Sequence, residues 1–526
     1  MRTPGTLAIT LTVLLLGSAV RADETPAKGK IVAVDLFKNG LAIIKCELTL
    51  GKPGTYVLED VPQPVHGTFW VTSPATVEAV VKLREVEVPA DESTPSNLQE
   101  DLAGKKVTLH FKGGNRPPVV GTMAKLKPAK ADEPVAPGRF LIIQTAKGRS
   151  YVEASEVSSV EAEDAGDKVK RHQPRLLLTL LPTDKAETKV IIRYLTHGMA
   201  WAPSYMIDIT DPKMLTLEQN AVVRNELSNL DNVDMKLISG YPSVQFAHVR
   251  SLLSPRTSLA TFFAELGNGR TRETDGLDNS VMTQQVALNN YRGGAVSVTL
   301  GATPAGEGVD LHYQSIGKRT LAEGETLGLT VAKGKAEYER IVEWLIPDTR
   351  NEYGQHNHQG PSENDSAWDA LKFKNPLSYP MTTGPATVTS GGAFNGQRMS
   401  YWVNSGEETV LRVSKALSVR TRSIENEQLT KEGSTRDFVW VGGRQYRKVT
   451  VEGELAVSNH RKETVSMVIR RLFSGDLVTA EGSPKVSLRE EGAFSINKRN
   501  ALLWTMSLKP GEEKTVKYSY NVLVSH

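Results

Sequence analysis

Leu217–Leu237 reads LEQNAVVRNELSNLDNVDMKL, and Val449–Ile469 reads VTVEGELAVSNHRKETVSMVI. In each stretch an alternating apolar run reaches an asparagine, Asn225 or Asn459, crosses a polar turn and leaves as a second apolar run. Alternation with a period of two is typical of a strand with one buried face, and asparagine stabilises turns by bonding to the nearby backbone. The two stretches therefore predict β-hairpins with an asparagine at the corner, and with them two sandwich halves or two immunoglobulin-like sheets.

The rest of the chain has the same β texture. Short runs rich in Val, Ile, Leu, Thr and Tyr, such as Lys30–Phe37 and Leu41–Leu50, are separated by Gly, Pro, Asn and Asp. Asn39-Gly40 between these two runs predicts a tight hairpin, because both residues tolerate a positive φ. We predict an all-β, multidomain protein whose N-terminal β domain covers residues 23–95 and ends in the linker Pro89–Ser96.

Residues 97–162 form a second predicted domain. Five short apolar runs, joined by glycine turns and one Pro/Lys/Ala-rich connection, predict a small, strongly bent β-barrel. The order of strands and turns resembles Sm-like and SH3-type barrels, which often bind RNA or peptides. That resemblance concerns the fold and leaves the ligand open. Because the segment lacks interleaved exposed aromatic residues, we predict no nucleic-acid binding.

Residues 190–526 are predicted to form a large C-terminal β-sandwich region. Two polar insertions interrupt its β pattern, at 250–293 and at 348–368. The first contains a possible short helix over Ser258–Leu266 and then a Gly/Asn/Asp-rich tract. Loops of this length in compact domains are usually functional or disordered, and the sequence leaves that choice open.

The N-terminus has the pattern of a secretory signal peptide. Arg2 supplies a positive charge, Leu7–Gly17 is apolar, and Val20 and Ala22 fit the positions before a cleavage site at Asp23. Residues 1–22 are therefore predicted to direct export to the periplasm or the cell surface. No other segment approaches 18 consecutive apolar residues, so we predict no membrane span.

Composition narrows the function classes. The 526 residues include 63 Lys and Arg against 60 Asp and Glu, a balance that gives no global field for nucleic acid. The single cysteine, Cys46, excludes a disulfide scaffold and a cysteine zinc site, and its apolar strand predicts a packed thiol rather than a nucleophile. Acids lie close in sequence to the basic runs Arg444–Lys448 and Arg470-Arg471, so we interpret both as solvated strand faces.

The common catalytic and cofactor motifs are absent from the sequence. It contains no P-loop, no H-E-x-x-H, no G-x-S-x-G elbow and no EF-hand loop. This weighs against the common hydrolase and NTPase classes, and no cofactor is predicted. A dispersed site with two carboxylates stays open, because its geometry cannot be read from a sequence.

One histidine cluster has the residue types of a metal site. His356 and His358 are two residues apart, with Glu352, Glu363 and Asp365 nearby. Histidines with this spacing on an extended segment point the same way and, with a carboxylate, could bind Zn²⁺ or Ni²⁺. We favour a solvated loop with incidental histidines, so His356 and His358 are only weak candidates and no metal is predicted.

Aromatic residues supply the candidate binding residues. Tyr401, Trp402 and Trp440 lie beside glycine-rich turns, where exposed rings on a β face could stack on sugars. Three other tryptophans have apolar neighbours and are predicted to anchor cores: Trp201, Trp344 and Trp504.

Several segments together resemble a bacterial family of unknown function that includes the mucoidy inhibitor A type of envelope protein. They are Ile31–Val88, Arg193–Ile209 (RYLTHGMAWAPSYMIDI), Ala221–Tyr241, Leu327–Pro347, Asn375–Arg420 and Leu502–Tyr520 (LLWTMSLKPGEEKTVKYSY). The chain departs from the family in two places. The small barrel replaces a long coiled coil, and Tyr379-Pro380-Met381 replaces Pro-Leu-Pro. The resemblance implies an exported envelope protein, in some members linked to exopolysaccharide, and it supplies no catalytic residues.

The sequence therefore favours an exported, non-catalytic protein that binds an envelope polysaccharide or an envelope protein. Two alternatives remain. One is a hydrolase of envelope glycan or protein with a dispersed carboxylate site, and the other is a structural or assembly factor.

Overall fold

The computed structural model describes residues 24–89, 97–113, 116–126, 138–163, 168–182, 187–240, 244–254, 257–268, 311–351, 353–356, 366–428, 438–490 and 496–525. Regular structure in these ranges is nearly all β, which confirms the predicted all-β class. The predicted signal peptide, most of the linker and much of both polar insertions lie outside the described residues.

Strands and helices are numbered in chain order. The chain begins with β1 (Thr25–Pro26), β2 (Lys30–Leu36), β3 (Leu41–Leu50), β4 (Gly54–Leu58), β5 (Trp70–Thr72) and β6 (Val77–Pro89). There follow α1 (Leu98–Asp101), β7 (Lys106–Phe111), β8 (Val119–Met123), β9 (Phe140–Thr145), β10 (Gly148–Glu153), a 3₁₀ helix (Ala154–Glu156) and β11 (Val157–Ala162). The middle of the chain contains β12 (Lys168–Leu180), β13 (Thr188–His197), β14 (Met199–Asp208), β15 (Met214–Asn225), β16 (Leu230–Ser239), α2 (Leu259–Asn268), β17 (His312–Leu321) and β18 (Thr326–Ile346). The remainder contains β19 (Trp368–Lys374), β20 (Gly384–Ser390), β21 (Ala393–Ser400), β22 (Glu408–Lys415), β23 (Val419–Gln428), β24 (Phe438–Val441), β25 (Arg444–Asn459), β26 (Val465–Ser474), β27 (Asp476–Ala480), β28 (Lys485–Glu490), β29 (Arg499–Leu508) and β30 (Glu513–Ser525).

The chain divides into two compact units. The N-terminal unit contains Met1–Val32, Ile44–Thr196 and Gln245–Arg270, and the C-terminal unit contains Ala33–Ile43, His197–Val244 and Thr271–His526. The domain boundaries expected from the sequence stay predictions.

The N-terminal unit contains two complete sheets. One has the order β1-β4-β12-β6, and in it β12 pairs with β6 over thirteen residues, from Lys168 to Leu180. The other has the order β10-β9-β8-β7-β11 and encloses a small core that includes Leu109, Met123 and Ile143. Its five strands are those predicted within residues 97–162.

The C-terminal unit is built around the long strand β18. Its first half pairs with β15, and its second half pairs with β19 and β26. A separate sheet has the order β23-β25-β30-β27, with β24 paired to β25. Trp344 of β18 and Trp504 of β29 share one hydrophobic core with residues of this separate sheet, such as Leu455 and Tyr520. Trp201 is equally buried. The three predicted core tryptophans are therefore confirmed.

Both asparagines of the deciding stretches lie where the chain leaves one sheet for another. β15 pairs with β14 and β18, whereas β16 pairs with β2 and β17. Likewise β25 pairs with β23 and β30, whereas β26 pairs with β18 and β29. The predicted strands are confirmed, but the predicted hairpins are wrong. Alternation identifies a strand with one buried face and carries no information about its partner.

Asn459 shows how such a crossing is held. Its side-chain Nδ2 donates to the carbonyl of Glu463 at 2.8 Å and to those of Leu508 and Lys509 at 3.0 and 3.2 Å. Its Oδ1 accepts the backbone N–H of Arg461 at 2.9 Å. One buried amide therefore binds its own turn to a second turn about fifty residues along the chain.

The same arrangement occurs three times among the residues that the structure describes. Asn225 and Asn375 make the corresponding bonds, each to its own turn and to two carbonyls of a distant turn. The distant turns, 322–325, 404–407 and 509–512, read AEGE, NSGE and KPGE. We call these three pairs of turns the asparagine corners.

The Gly-Glu pair of each distant turn has a defined task. The glycines have φ of +84°, +73° and +72°, a region that other residues rarely adopt, and their N–H groups donate back to the asparagine carbonyls. Each glutamate carboxylate accepts a backbone N–H of its own turn at 2.7 Å. The flanking strands repeat as well, because β15/β18, β19/β22 and β25/β30 are antiparallel pairs, as are β16/β17, β20/β21 and β26/β29. The C-terminal unit thus contains three copies of one four-strand pattern.

Candidate functional site

Arg471 lies at the centre of a buried charge cluster in the C-terminal unit. The interpretation of Arg470-Arg471 as a solvated face is wrong for Arg471, whose side chain is 2% exposed. Its Nη2 lies 2.6 Å from Glu425 Oε1, and its Nε donates to the hydroxyl of Tyr518 at 2.8 Å. That hydroxyl donates in turn to the same carboxylate oxygen at 2.5 Å. β26, β23 and β30 therefore meet through one polar triad.

Arg350, Glu427 and His356 extend the cluster towards solvent. Arg350 Nη2 lies 2.6 Å from Glu427 Oε1, and its Nη1 donates to the Gly354 carbonyl at 2.8 Å. His356 Nε2 approaches the same Glu427 oxygen at 3.0 Å. Glu425 and Glu427 are two residues apart on β23, and each is held by its own guanidinium.

The two carboxylates of the cluster are held in the ionised form rather than poised for proton transfer. Burial alone would raise the pKa of Glu425, but Arg471 and the Tyr518 hydroxyl bring that pKa below its ordinary value. The pKa of Glu427 is lowered in the same way, by Arg350 and then His356 against its burial. Burial raises the pKa of Tyr518. A general acid needs a raised carboxyl pKa, so the cluster does not suit the acid step of a hydrolase.

The histidine pair proposed from the sequence is only partly described. His356 lies beside Glu427, while His358 and the acids at 352, 363 and 365 lie outside the described residues. Within the described ranges, no three His, Cys, Asp or Glu side chains are grouped so that they could hold a metal ion. His356 and His358 as metal ligands stay a prediction.

Tyr401 and Trp402 follow β21, and Trp402 forms an aromatic patch with His312. The Trp402 indole donates from Nε1 to Asn404 Oδ1 at 3.0 Å, and its ring centroid is 5.8 Å from that of His312. Asn404 belongs to the middle asparagine corner, so the corner also fixes the indole. Tyr401 is exposed, whereas Trp402 and His312 are half-buried.

Trp440 stands on a separate hairpin. β24 pairs with the start of β25 across Gly442-Gly443, whose φ values of +56° and +78° require glycine. The Trp440 side chain is 68% exposed, and Val439 and Val441 beside it are exposed too. Two of the three aromatic residues selected from the sequence therefore follow β21, and the third, Trp440, lies on β24.

Two further groups bear on nucleophilic and acid chemistry. Cys46 is half-buried, and burial together with Asp60 and Glu47 raises the pKa of its thiol to about 11, so little thiolate forms near neutral pH. Asp35 is the one described carboxyl group whose pKa is clearly raised, by burial and by Asp234 against the lowering effect of Lys236. Asp35 is thus the strongest described candidate for the acid of a hydrolase.

Lys38 is a buried lysine that the sequence did not single out. Its side chain, 5% exposed, donates from Nζ to Thr382 Oγ1 at 3.1 Å and to the Thr383 carbonyl at 2.6 Å. Both acceptors are neutral, and burial lowers the pKa of the amine to about 8. Lys38 therefore ties the Asn39-Gly40 turn to residues 382–383 at an electrostatic cost.

We expect Lys38→Met to stabilise the protein by about 2 kcal/mol at pH 7. The pKa of the amine is about 8 in the folded state and about 10.4 in the unfolded state, so keeping it charged and buried costs about 3 kcal/mol at pH 7. The variant also loses two hydrogen bonds, which reduces its gain in stability by about 1 kcal/mol. The folded state binds fewer protons between these pKa values, so native stability rises across that window. In urea unfolding, the variant should therefore be more stable than the unmodified chain at pH 7 but not at pH 10.5. An equal advantage at both pH values would show that Lys38 does not titrate in this way.

The sheet formed by residues 97–162 exposes aromatic rings, contrary to the expectation from the sequence. Phe140 and Tyr151 are 44% and 60% exposed, so this segment does present aromatic rings to solvent. That expectation is wrong because strand alternation turns every second residue outward whatever its hydrophobicity. The prediction that the protein binds no nucleic acid loses this support and rests on the charge balance.

The family assignment follows from the sequence comparison. No described helix combines the length and apolar character needed to cross a membrane. No curated protein sequence matches the chain significantly. The family model for a domain of unknown function, DUF4139, matches residues 190–524, a range that includes all three asparagine corners and the buried charge cluster. Because this match covers more than half of the chain, the protein belongs to the DUF4139 family.

Proposed function

We propose that this protein is exported to a bacterial cell envelope or cell surface and there binds polysaccharide without cleaving it. The single observation that carries the proposal is the aromatic patch of Trp402 and His312, with the exposed ring of Tyr401 next to it in the chain. The secretory pattern of residues 1–22 and the resemblance to mucoidy inhibitor A type proteins, some linked to exopolysaccharide, support the location.

The patch has the chemistry that a sugar ring requires. An indole face packs against the apolar C–H face of a hexose, while a histidine nitrogen at its edge can bond to a hydroxyl group. Trp402 is already held by Asn404 at 3.0 Å. A ring that is fixed before binding loses little conformational entropy when the ligand arrives.

The carboxylates favour binding over hydrolysis. Glu425 and Glu427 are two acids on one strand, yet arginines hold both and lower both pKa values. Asp35 supplies a raised pKa but stands beside Lys236 on the neighbouring strand. A hydrolase would need Asp35 and a second carboxylate to flank one substrate bond.

A protein partner is the second candidate, and the Trp440 hairpin favours it. The hairpin exposes Trp440 on one face of β24 and Val439 and Val441 on the other. The valines cannot bond to sugar hydroxyls, and exposed tryptophan is enriched in protein–protein hot spots. This candidate also includes the assembly-factor alternative, in which the protein acts only through its partner.

We also propose the finer architecture expected from the sequence. The core shared by Trp344, Trp504, Leu455 and Tyr520 supports a β-sandwich in the C-terminal unit. The strand order β10-β9-β8-β7-β11 supports an SH3-like barrel for residues 97–162. A crystal structure of the mature chain would test both.

Co-sedimentation of the mature chain, residues 23–526, tests the proposed function. Peptidoglycan, outer membrane and extracted exopolysaccharide are offered separately at low and high salt. We expect retention on a polysaccharide fraction that survives high salt, because stacking is not screened. Trp402→Ala should weaken retention about tenfold, as expected for losing about 1.4 kcal/mol of ring contact.

Trp440→Ala is the matched control, since it removes another exposed indole. Loss of retention on a polysaccharide fraction with Trp440→Ala but not with Trp402→Ala would contradict the assignment to Trp402 and move the sugar site to the Trp440 hairpin. Retention on the outer-membrane fraction alone, abolished by Trp440→Ala, would favour a protein partner instead. Release of reducing sugar from the retained fraction would contradict the non-catalytic proposal.

A further inference from the structure

The hairpin that carries Trp440 ends in a two-stranded tip. β24 pairs with residues 444–447 of β25 across Gly442-Gly443, and it has no second neighbour among the described strands. On the other side of β25, β30 reaches only to Tyr446, and β23 pairs only from Thr450 onward. The residues around the turn therefore have no further described strand beside them.

The tip is apolar on both faces of β24. Phe438–Val441 reads FVWV, and successive side chains of a strand point to opposite faces. Trp440 is exposed on one face, and Val439 and Val441 are exposed on the other. A surface strand normally presents polar side chains on the face that meets water, so a run of exposed apolar residues marks a functional surface. Burying this run requires surroundings that cover both faces.

Three cations beside the tip have no counter-charge. Arg444, Arg447 and Lys448 are exposed, and none of them forms an ion pair with a described residue. Residues 438–448 include no Asp or Glu, and neither does the end of β30 that pairs with them, Val522–Ser525. The hairpin therefore combines an apolar tip with three uncompensated positive charges.

We propose that the Trp440 hairpin binds the surface of a membrane that contains anionic phospholipid. Lipid surrounds an inserted tip and covers both apolar faces, whereas a protein surface or a sugar chain covers mainly one. Tryptophan favours the interface between headgroups and hydrocarbon, and neighbouring cations attract anionic headgroups. Because β24 pairs on one side only among the described strands, we place the tip at headgroup depth, where water still bonds to the backbone.

Vesicle co-sedimentation of the mature chain, residues 23–526, tests this proposal. The vesicles contain no protein and consist of phosphatidylcholine alone or of equal parts of phosphatidylcholine and phosphatidylglycerol. We expect binding to the anionic vesicles that Trp440→Ala weakens about tenfold, because it removes the largest apolar side chain of the tip. Arg447→Gln should weaken this binding about fivefold, as expected for one cation near an anionic surface. Brominated acyl chains should quench the tryptophan fluorescence of the unmodified chain more than that of Trp440→Ala.

Phe394→Ala is the matched control for the loss of an exposed ring. Phe394 is as exposed as Trp440 and follows a Gly-Gly turn with nearly the same φ values, Gly391-Gly392, but residues 387–397 include no Lys or Arg. This variant should bind the anionic vesicles as the unmodified chain does. Arg422→Gln is the control for charge, because it removes an exposed guanidinium that is already ion-paired.

The possible results separate a lipid surface from the other occupants of the hairpin. Failure to bind protein-free anionic vesicles would overturn the proposal and leave the hairpin to a protein partner. Equal binding to neutral and anionic vesicles, or equal effects of Trp440→Ala and Phe394→Ala, would overturn it as well. The proposal does not rest on polysaccharide binding, so Trp402→Ala should leave vesicle binding unchanged, and failure of either proposal can be recognised without the other.

Discussion

Arg471→Met is expected to lower the free energy of unfolding by about 3–5 kcal/mol, the usual range for removing one partner of a buried ion pair. The variant leaves the Glu425 carboxylate and the Tyr518 hydroxyl buried without the guanidinium that both contact, at 2.6 and 2.8 Å. Methionine occupies similar space, so the loss measures electrostatics more than a cavity. Equilibrium urea unfolding gives the difference directly.

Arg422→Met is the matched control for this change. Arg422 pairs with Glu454 at 3.1 Å on the neighbouring strand, but its side chain is mostly exposed. Exposed pairs contribute about 0–1 kcal/mol, so this variant should unfold almost as the unmodified chain does. Equal losses in the two variants would show that burial adds nothing to the Arg471 pair.

The difference in the free energy of unfolding between the unmodified chain and Arg471→Met should become smaller as the pH falls. The pKa of Glu425 is lowered in the folded state, so the folded protein binds fewer protons there than the unfolded chain. Its contribution is therefore complete above about pH 4.3 and is lost as pH falls through the folded pKa. Replacing both partners, in Glu425→Leu with Arg471→Met, should recover much of the stability at pH 7 because no charge is left unpaired.

Asn459→Ala is expected to cost about 3–4 kcal/mol. The change leaves three carbonyl oxygens and the Arg461 N–H without their side-chain partner, and buried unsatisfied groups cost about 1–3 kcal/mol each. Relaxation and water entry reduce the sum. Thermal and urea unfolding of the variant measure the loss.

Asn426→Ala is the control, since Asn426 is exposed on β23. It should change the free energy of unfolding by less than about 0.5 kcal/mol. Asn459→Asp adds a sharper comparison, because a carboxylate keeps the acceptor for Arg461 but cannot donate to Leu508 and Lys509 unless protonated. If Asn459→Asp proved as stable as the unmodified chain at pH 7, the role assigned to the Asn459 Nδ2 donor would be contradicted.

Local sequence pattern predicted the strands well and their pairing poorly. The runs around Asn225 and Asn459 alternate as strands do, but the same alternation fits a hairpin and a crossing between sheets. Asn375 escaped notice because no long alternating run leads away from it, and Asn375–Tyr379 reads NPLSY. The Gly-Glu pair that recurs in the three distant turns could have identified the repeat from the sequence, since each of these turns needs a positive φ followed by a carboxylate.

Burial of charge was the hardest property to predict from the sequence. Acids near Arg471 in sequence suggested a solvated face, but its actual partners, Glu425 and Tyr518, are 46 and 47 residues away. Lys38 is buried by contacts 344 and 345 residues away, to Thr382 and Thr383. Contacts between residues so far apart in the sequence leave no local pattern from which burial can be predicted. The core tryptophans were predictable because their neighbours in sequence are apolar.

The three asparagine corners also differ in the conformational entropy that an unfolded chain loses when it forms them. The asparagine and its distant turn are separated by 29 residues at Asn375, by 50 at Asn459 and by 97 at Asn225. Loop-closure entropy grows with the logarithm of the enclosed length, so the Asn225 loop costs about 1 kcal/mol more to close than the Asn375 loop. Short closures are also the fastest. We therefore expect the middle corner to close first during folding and the corner with the longest loop to close last.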